Sequence, residues 1–572
     1  MYWDPYNLLY AKMYKFVVIG GLLFVLSCFS MLVLFSSTRK NQVMNVFIPH
    51  SVAANDCHSS MRGASTHQVQ DDDEQVALES TQTPPPLSLF YSSYQCNKYQ
   101  EGIGHSVPDI YPKHTLFAQC SFQNLCLNRR GQWVLFLDND TAPTSEWISR
   151  VNEQVWVYTQ PRVHSSRGDM IIKVYGDGPV QLVSTSKTGS SKSSVDSNNI
   201  KNNNYEKPTR PRAMINLSPD FKYISSPSFL THRYVAGNVG HVLMDGMTEA
   251  MINMVMFKLQ EYTEMNIVFL EDIHDDSYHS ENWVAAYNYD KNMSDKYSID
   301  FFGLMSNKPV LQKCSTSTGW TVTKAPCRNQ IPTTINEDNK DELTVCFKNA
   351  IAGMSRPYLL SAIGAEVINE PLRTLVSKVT GINFEYKAST KQEIVVAIHN
   401  KPKQGRHGEI IWNFEEVYSM IAERLPKEEF IVNVLKKKVR VVDLHLEGMN
   451  ARQQVQFFSQ VDVYIVDQGS ASYMTMFLPR NAIVIQAPDC RYREDKSKFC
   501  YDRFSQYAYT FSHVKMYPFL SLLPSSMKTI DCNPRPTAEE TNCDPILPPE
   551  VTYNAVVSTL TERFKELLYR KY

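Results

Sequence analysis

The chain has 572 residues, 43% hydrophobic and 20% charged, which is more than one domain's worth of sequence with ample apolar material for cores. Lys plus Arg (58) and Asp plus Glu (59) cancel to a formal charge of −1, which excludes a protein that coats nucleic acid through a basic excess. An aromatic fraction of 11% excludes a mainly disordered polymer.

Residues 16–35 form a run of 20 without a charge, and 14 of them are Leu, Ile, Val or Phe. At about 1.5 Å per residue this run crosses a hydrocarbon layer of ~30 Å. It is longer than the core of a cleaved signal peptide and has no clean small-residue cleavage site, so it predicts an uncleaved anchor. Lys12 and Lys15 before the run nearly balance Arg39 and Lys40 after it, so charge does not orient it. The sequons at Asn139, Asn216 and Asn292 all lie downstream, as do 11 of the 12 cysteines. Together they predict a short cytosolic tail (residues 1–15) and a large ectodomain in the oxidising lumen.

Residues 36–95 are polar, with Asp71-Asp72-Asp73-Glu74 and Pro84-Pro85-Pro86 and no helical or strand period, which predicts a stem. Cys57 lies in it; the ten cysteines beyond are an even set, leaving Cys57 free or linking two chains. Local spacing favours the pairs Cys120/Cys126, Cys490/Cys500 and Cys532/Cys543. Folded sequence is expected over residues 96–380, interrupted by a Ser-, Asn- and Lys-rich exposed insertion at 184–210. A second folded block is expected over 381–545 and an amphipathic helix over 546–572.

The second block alternates strand and helix. Residues 393–398 read as a buried strand, and 414–425 as a helix with Val417, Ile421 and Leu425 on one face. Residues 430–435 and 439–442 read as strands, 451–460 as a helix, 463–466 as a strand, 470–478 as a short helix and 482–486 as a strand. This alternation predicts a parallel, doubly wound α/β sheet. In the terminal helix Tyr553, Val556, Val557, Leu560, Phe564 and Leu567 share one side.

Three constellations carry chemistry. In Gly237-Asn238-Val-Gly-His241-Val-Leu-Met-Asp245, Asn238 is placed to cap a helix running through Met256. Its core stripe is Leu243, Met247, Ala250, Met251 and Met254; His241 and Asp245, four apart, take the other face, where the carboxylate can orient a basic imidazole. A solvated His–Asp pair is the plainer alternative. Asp467-Gln468-Gly469-Ser470-Ala471-Ser472 is a small-residue turn entering a helix, a site suited to a diphosphate or simply a tight turn. The loop His399-Asn-Lys401-Pro-Lys403-Gln-Gly-Arg406-His407 leaves a strand at its C-terminal end, where open α/β sheets bind ligands. No trustworthy DxD pair, zinc-ligand spacing or Walker A sequence is present, so no metal and no tightly bound cofactor is expected.

In content and order, Cys120-x-Phe-x-Asn-x-Cys126, Gly-Asn-x-x-His-x-x-x-Asp at 237–245, and the Gln468-Gly469 turn followed by Phe477-Leu478-Pro479 and an apolar strand resemble glycosyltransferase family 61. The resemblance spans roughly residues 96–520. It implies a GT-B enzyme of two Rossmann-like domains facing a cleft, anchored as a single-pass type II protein in the Golgi, or alternatively the endoplasmic reticulum. It further implies metal-independent, inverting transfer of GlcNAc or xylose from a nucleotide sugar, UDP-linked, to a glycoprotein or polysaccharide acceptor. His241 and Asp245 would be catalytic, with Asn238, Arg406, Gln468, Gly469 and Ser470 on the donor. The family's His-Gly-Ala-Gly is here Gln468-Gly469-Ser470-Ala471, an amide for an imidazole; the alternative is an inactive relative that binds glycan or protein.

Overall fold

The computed structural model describes residues 92–98, 118–136, 172–175, 180–184, 213–231, 233, 238–270, 291–353, 366–385, 391–401, 410–493, 495, 497–502, 511–527, 529–534 and 542–569. The tail, anchor and stem expected over residues 1–91 lie outside these, as do Asn139, the 184–210 insertion and Arg406. Among the described residues no helix is long and apolar enough to cross a membrane.

The chain is mixed α/β, with three sheets among the described residues. The first contains β1 (Ser93–Lys98), β2 (Ala118–Asn128), β3 (Trp133–Phe136), β4 (Ile172–Tyr175), β5 (Val180–Ser184), β6 (Ala213–Ile224), β7 (Ser228–Thr231), β8 (Asn266–Phe269), β9 (Leu311–Thr316), β10 (Gly319–Lys324) and β11 (Leu343–Gly353). β11 is its hub, antiparallel to β2 on one side and parallel to β6 and then β7 on the other. β7, β8 and β9 are mutually parallel, whereas β9–β10, β1–β2 and β2–β3 are antiparallel, so this half is more mixed than a simple Rossmann unit.

The sequence pairing Cys120/Cys126 is corrected. Both sit on β2, six residues apart, and at about 3.3 Å per residue that is ~20 Å, far beyond the ~7 Å a disulfide can bridge. Cys126 instead bonds Cys346, its directly opposite neighbour on β11, across 220 residues of sequence. Cys120 has a different disulfide partner. Cys314–Cys327, Cys490–Cys500 and Cys532–Cys543 are also bonded, the last two as their spacing predicts.

The second sheet is parallel throughout: β12 (Glu393–His399), β13 (Lys438–Leu444), β14 (Val463–Val466), β15 (Ile483–Gln486) and β18 (Lys515–Pro518), in the order β13-β12-β14-β15-β18. β14 and β15 are buried along their full length, as continuous apolar runs covered on both faces require. β16 (Asp489–Tyr492), β17 (Lys498–Tyr501), β19 (Asp531–Pro534) and β20 (Asn542–Ile546) make a small antiparallel sheet beyond β15.

Helix α1 (Val239–His241) passes through a π-helical segment, Val242–Met247, into α2 (Thr248–Met256). Then come α3 (Lys291–Phe302), α4 (Glu366–Thr380), α5 (Phe414–Arg424), α6 (Ala451–Phe458) and α7 (Pro549–Tyr569). In α5, Val417, Ile421 and the following Leu425 are fully buried, as their spacing predicts. α6 opens on a reciprocal capping box between Asn450 and Gln453. The strand expected over 430–435 is not formed: Phe430–Leu435 is π-helical, burying only Ile431 while Val432 and Val434 face solvent. It follows α5 and the 3₁₀ turn Leu425–Lys427 after a break at Glu428, whose backbone is extended, and ends on Lys436 in the left-handed region.

α7 lays Tyr553, Val556, Leu560 and Phe564 into the core of the parallel sheet. Arg563 donates to the Asp462 carbonyl at 2.8 Å, and the Asn413 amide clasps Leu547 both ways, Nδ2 to its carbonyl at 2.8 Å and Oδ1 from its N–H at 2.9 Å. The largest apolar cluster crosses between the two sheets: Met251, Phe269 and Phe301 from the first half share it with Phe384, Phe458, Tyr464 and Phe477 from the second.

Candidate functional site

In the parallel sheet the first strand in sequence, β12, is flanked by the second and the third. The chain turns one way to reach β13 and the other way to reach β14, so connections diverge between β12 and β14, the kind of switch point whose C-terminal strand ends form the ligand crevice of open α/β sheets. The residues at those two ends are His399 and Asp467. His399 Nδ1 lies 2.9 Å from Asp467 Oδ2, and both side chains are buried. Lys401, two residues past β12, sets its ammonium 3.5 Å from Asp467 Oδ1, which also accepts the Gly469 N–H at 2.6 Å.

Burial alone would raise the Asp467 pKa, but the charges of Lys401 and His399 and the hydrogen bonds from His399 and Gly469 outweigh it and hold the carboxyl well below the usual carboxylate range. Asp467 is therefore ionised, acceptor-only, and fixes His399 with its proton on Nδ1. Gly469 is required where it stands: a Cβ there would lie 2.5 Å from Lys401 Nζ and 2.6 Å from Asp467 Oδ1.

The turn continues into the short helix the sequence predicts, a 3₁₀ helix over Ser470–Phe477 with Gly469 as its N-cap. Tyr464, buried on β14, props the turn from below by donating to the Ala471 carbonyl at 3.1 Å. Gln468 is used internally: its Nε2 donates to the Ala487 carbonyl at 2.9 Å and its Oε1 accepts from Gln486 at 3.4 Å.

Against this turn packs the segment Asn238-Val-Gly-His241. Asn238 is the N-cap, its Oδ1 accepting the Gly240 N–H at 3.0 Å. Gly240 faces the 3₁₀ helix so closely that a Cβ would meet Tyr473 Cδ2 at 2.8 Å and the Ser470 Cβ at 3.2 Å. His241, half-buried, follows directly. Leu243, Met247, Ala250, Met251 and Met254 are fully or almost fully buried, as the stripe predicts. Residues 242–247 wind as a π-helix rather than the α-helix expected from the sequence. Within it Gly246 lies close to Phe302, whose ring would be 2.8 Å from a Cβ there. The Asp245 side chain lies outside the described residues.

The structure thus brings Asn238, Gly240 and His241 beside Gln468, Gly469 and Ser470. Sequence reasoning overlooked the union of His399, Lys401 and Asp467. Each lies just past an apolar run, a visible signal, but strand order decides which ends are neighbours. Of the sequons, Asn216 is exposed on β6, and Asn292 lies on α3 with its side chain outside the described residues. No protein-family model matches this chain, and no curated protein matches it.

Proposed function

We propose that this chain is an inverting glycosyltransferase of GT-B type, moving a sugar, GlcNAc or xylose, from a UDP-linked donor to a protein or glycan acceptor in the Golgi lumen. The observation that carries this reading is the switch-point cluster of Lys401, ionised Asp467 and Gly469, with the His241-bearing turn packed beside its 3₁₀ helix through Gly240. A crevice at a sheet's switch point, opened by a glycine and flanked by an ammonium and a helical N-terminus, suits a diphosphate. The acceptor oxygen attacks the anomeric carbon while His241 takes its proton. The bond from that carbon to the diphosphate breaks with its electron pair going to phosphate oxygen, and the Lys401 ammonium offsets the charge that develops there.

A second reading, an inactive relative that binds glycan or protein, is favoured by Gln468, whose amide is engaged by Ala487 and Gln486 rather than turned to a ligand. Incubating the full chain with a panel of nucleotide sugars, with and without acceptor glycans, decides between them. Released nucleoside diphosphate that is lost in His241→Ala, with the UDP-induced thermal shift retained, supports the transferase. A UDP shift without turnover supports the binding module, and neither signal removes the nucleotide reading altogether.

A further inference from the structure

No zinc-ligand spacing is visible in the sequence, yet strand register gathers four cysteines that spacing leaves apart. In the small sheet the order is β17-β16-β20-β19. Cys490 on β16 stands directly opposite Cys500 on β17 and also directly opposite Cys543 on β20. Cys532, on the outer strand β19, is bonded to Cys543. The Sγ atoms of Cys490, Cys500 and Cys532 lie within 4.8 Å of one another. Cys490, Cys532 and Cys543 are fully buried and Cys500 is half-buried, all against one apolar cluster, so the four sulfurs share one face of the sheet. The other described disulfides, Cys126–Cys346 and Cys314–Cys327, have no such sulfur neighbours among the described residues.

We propose that Cys490, Cys500, Cys532 and Cys543 are a single sulfur centre that takes one Zn²⁺ in tetrahedral Cys₄ coordination when its two disulfides are reduced. Zinc–sulfur bonds of about 2.3 Å in a tetrahedron place the sulfurs ~3.8 Å apart, so on reduction each bonded pair opens from its covalent separation, while Cys490, Cys500 and Cys532 already lie within 4.8 Å of one another and Cys543 follows its partner Cys532. Each disulfide accepts two electrons and two protons from a dithiol, which leaves as its own disulfide. Cys500, the half-exposed sulfur, is the point of attack. The four thiols then release their protons to solvent as the metal binds. The disulfides staple the strands in two pairs, β16 to β17 and β19 to β20, whereas a shared metal would tie all four together, so reduction exchanges two staples for one and does not unzip the sheet.

The test uses the full chain, reduced with a phosphine that does not compete as a thiolate ligand, and titrated with Co²⁺ as a coloured probe. The expected result is a sulfur-to-cobalt charge-transfer band with tetrahedral visible bands, saturating at one equivalent, bleached by Zn²⁺ and absent before reduction. The Cys490→Ser, Cys532→Ser double variant loses it, and Cys314→Ser, Cys327→Ser keeps it. Should the first variant fail to fold, alkylation of the reduced wild type gives an independent reading: Zn²⁺ protects these four cysteines and leaves Cys314 and Cys327 reactive. No saturable band, or protection spread equally over all cysteines, overturns the proposal.

Discussion

His399 Nδ1 and Asp467 Oδ2 face each other at 2.9 Å across the ends of two adjacent parallel strands, and the same carboxylate holds Lys401 and the Gly469 N–H on its other oxygen. One buried anion therefore organises both sides of the crevice. Asp467→Asn keeps the shape but removes the anion that both His399 and Lys401 face, and a broken buried pair costs roughly 3–5 kcal/mol. Because the folded carboxyl titrates well below its unfolded value of about 3.9, its contribution is complete at neutral pH and is lost as pH falls below that value. Denaturant unfolding of the wild type and the variant should differ most at pH 7 and converge in acid; a gap that persists in strong acid refutes the charge argument.

Gly240 sets the contact between the two halves beside the crevice. Gly240→Ala drives a methyl to 2.8 Å from the Tyr473 ring, and overpacking of this kind costs about 1–3 kcal/mol. With Tyr473→Ala in the background the ring clash is gone and only the tighter-than-usual Ser470 Cβ contact at 3.2 Å remains, so the double variant should be clearly less destabilised than the sum of the singles. Additivity in a double-mutant cycle of thermal stability would show that the contact carries no strain.

His513, buried and near Arg373, has its pKa pushed down to about 3, by burial first and then by that positive charge, while Nε2 sits 3.2 Å from the Thr475 carbonyl. The folded imidazole stays neutral while the unfolded one takes a proton near 6.5. Stability should accordingly fall as pH drops from about 6.5 towards 3, by at most ~1.4 kcal/mol per unit. His513→Asn should flatten that limb of a stability–pH profile, which an unchanged slope would contradict.

The Cys126–Cys346 bond closes 220 residues of chain. On chain-entropy grounds such a loop constrains the unfolded state by about 5 kcal/mol, and losses of 2–5 kcal/mol are usual when a native bridge is removed. Cys126→Ala with Cys346→Ala should lower the melting temperature far more than removing Cys314–Cys327, which spans 13 residues. Differential scanning calorimetry of the two variants gives the ranking directly.

The parallel sheet was legible because its strands are unbroken apolar runs: residues 393–398, 463–466 and 482–486 have no other use for their Val and Ile. The run Phe430-Ile-Val-Asn-Val-Leu435 carries the same residue types, yet it forms a helical turn with two valines in solvent, since a short apolar run has no period that separates strand from helix. The Cys120/Cys126 pairing misled for a different reason, as nearness in sequence becomes distance once both residues lie on one extended strand. At the site, the glycines and the cationic loop could be read from the chain, whereas the meeting of His399 with Asp467 depends on strand order, which local pattern does not encode. The π-winding after His241 likewise has no local signature in Val242-Leu-Met-Asp-Gly-Met247.

The apolar cluster that runs from Met251 and Phe301 through Phe384 and Phe477 to Tyr464 has a dynamic corollary. A hinge that swung one sheet away from the other would have to drag fully buried aromatic side chains into water, at roughly 1.5–3 kcal/mol apiece. Wholesale yawning of the molecule is thereby suppressed, and traffic into and out of the crevice falls to the short connections at its rim.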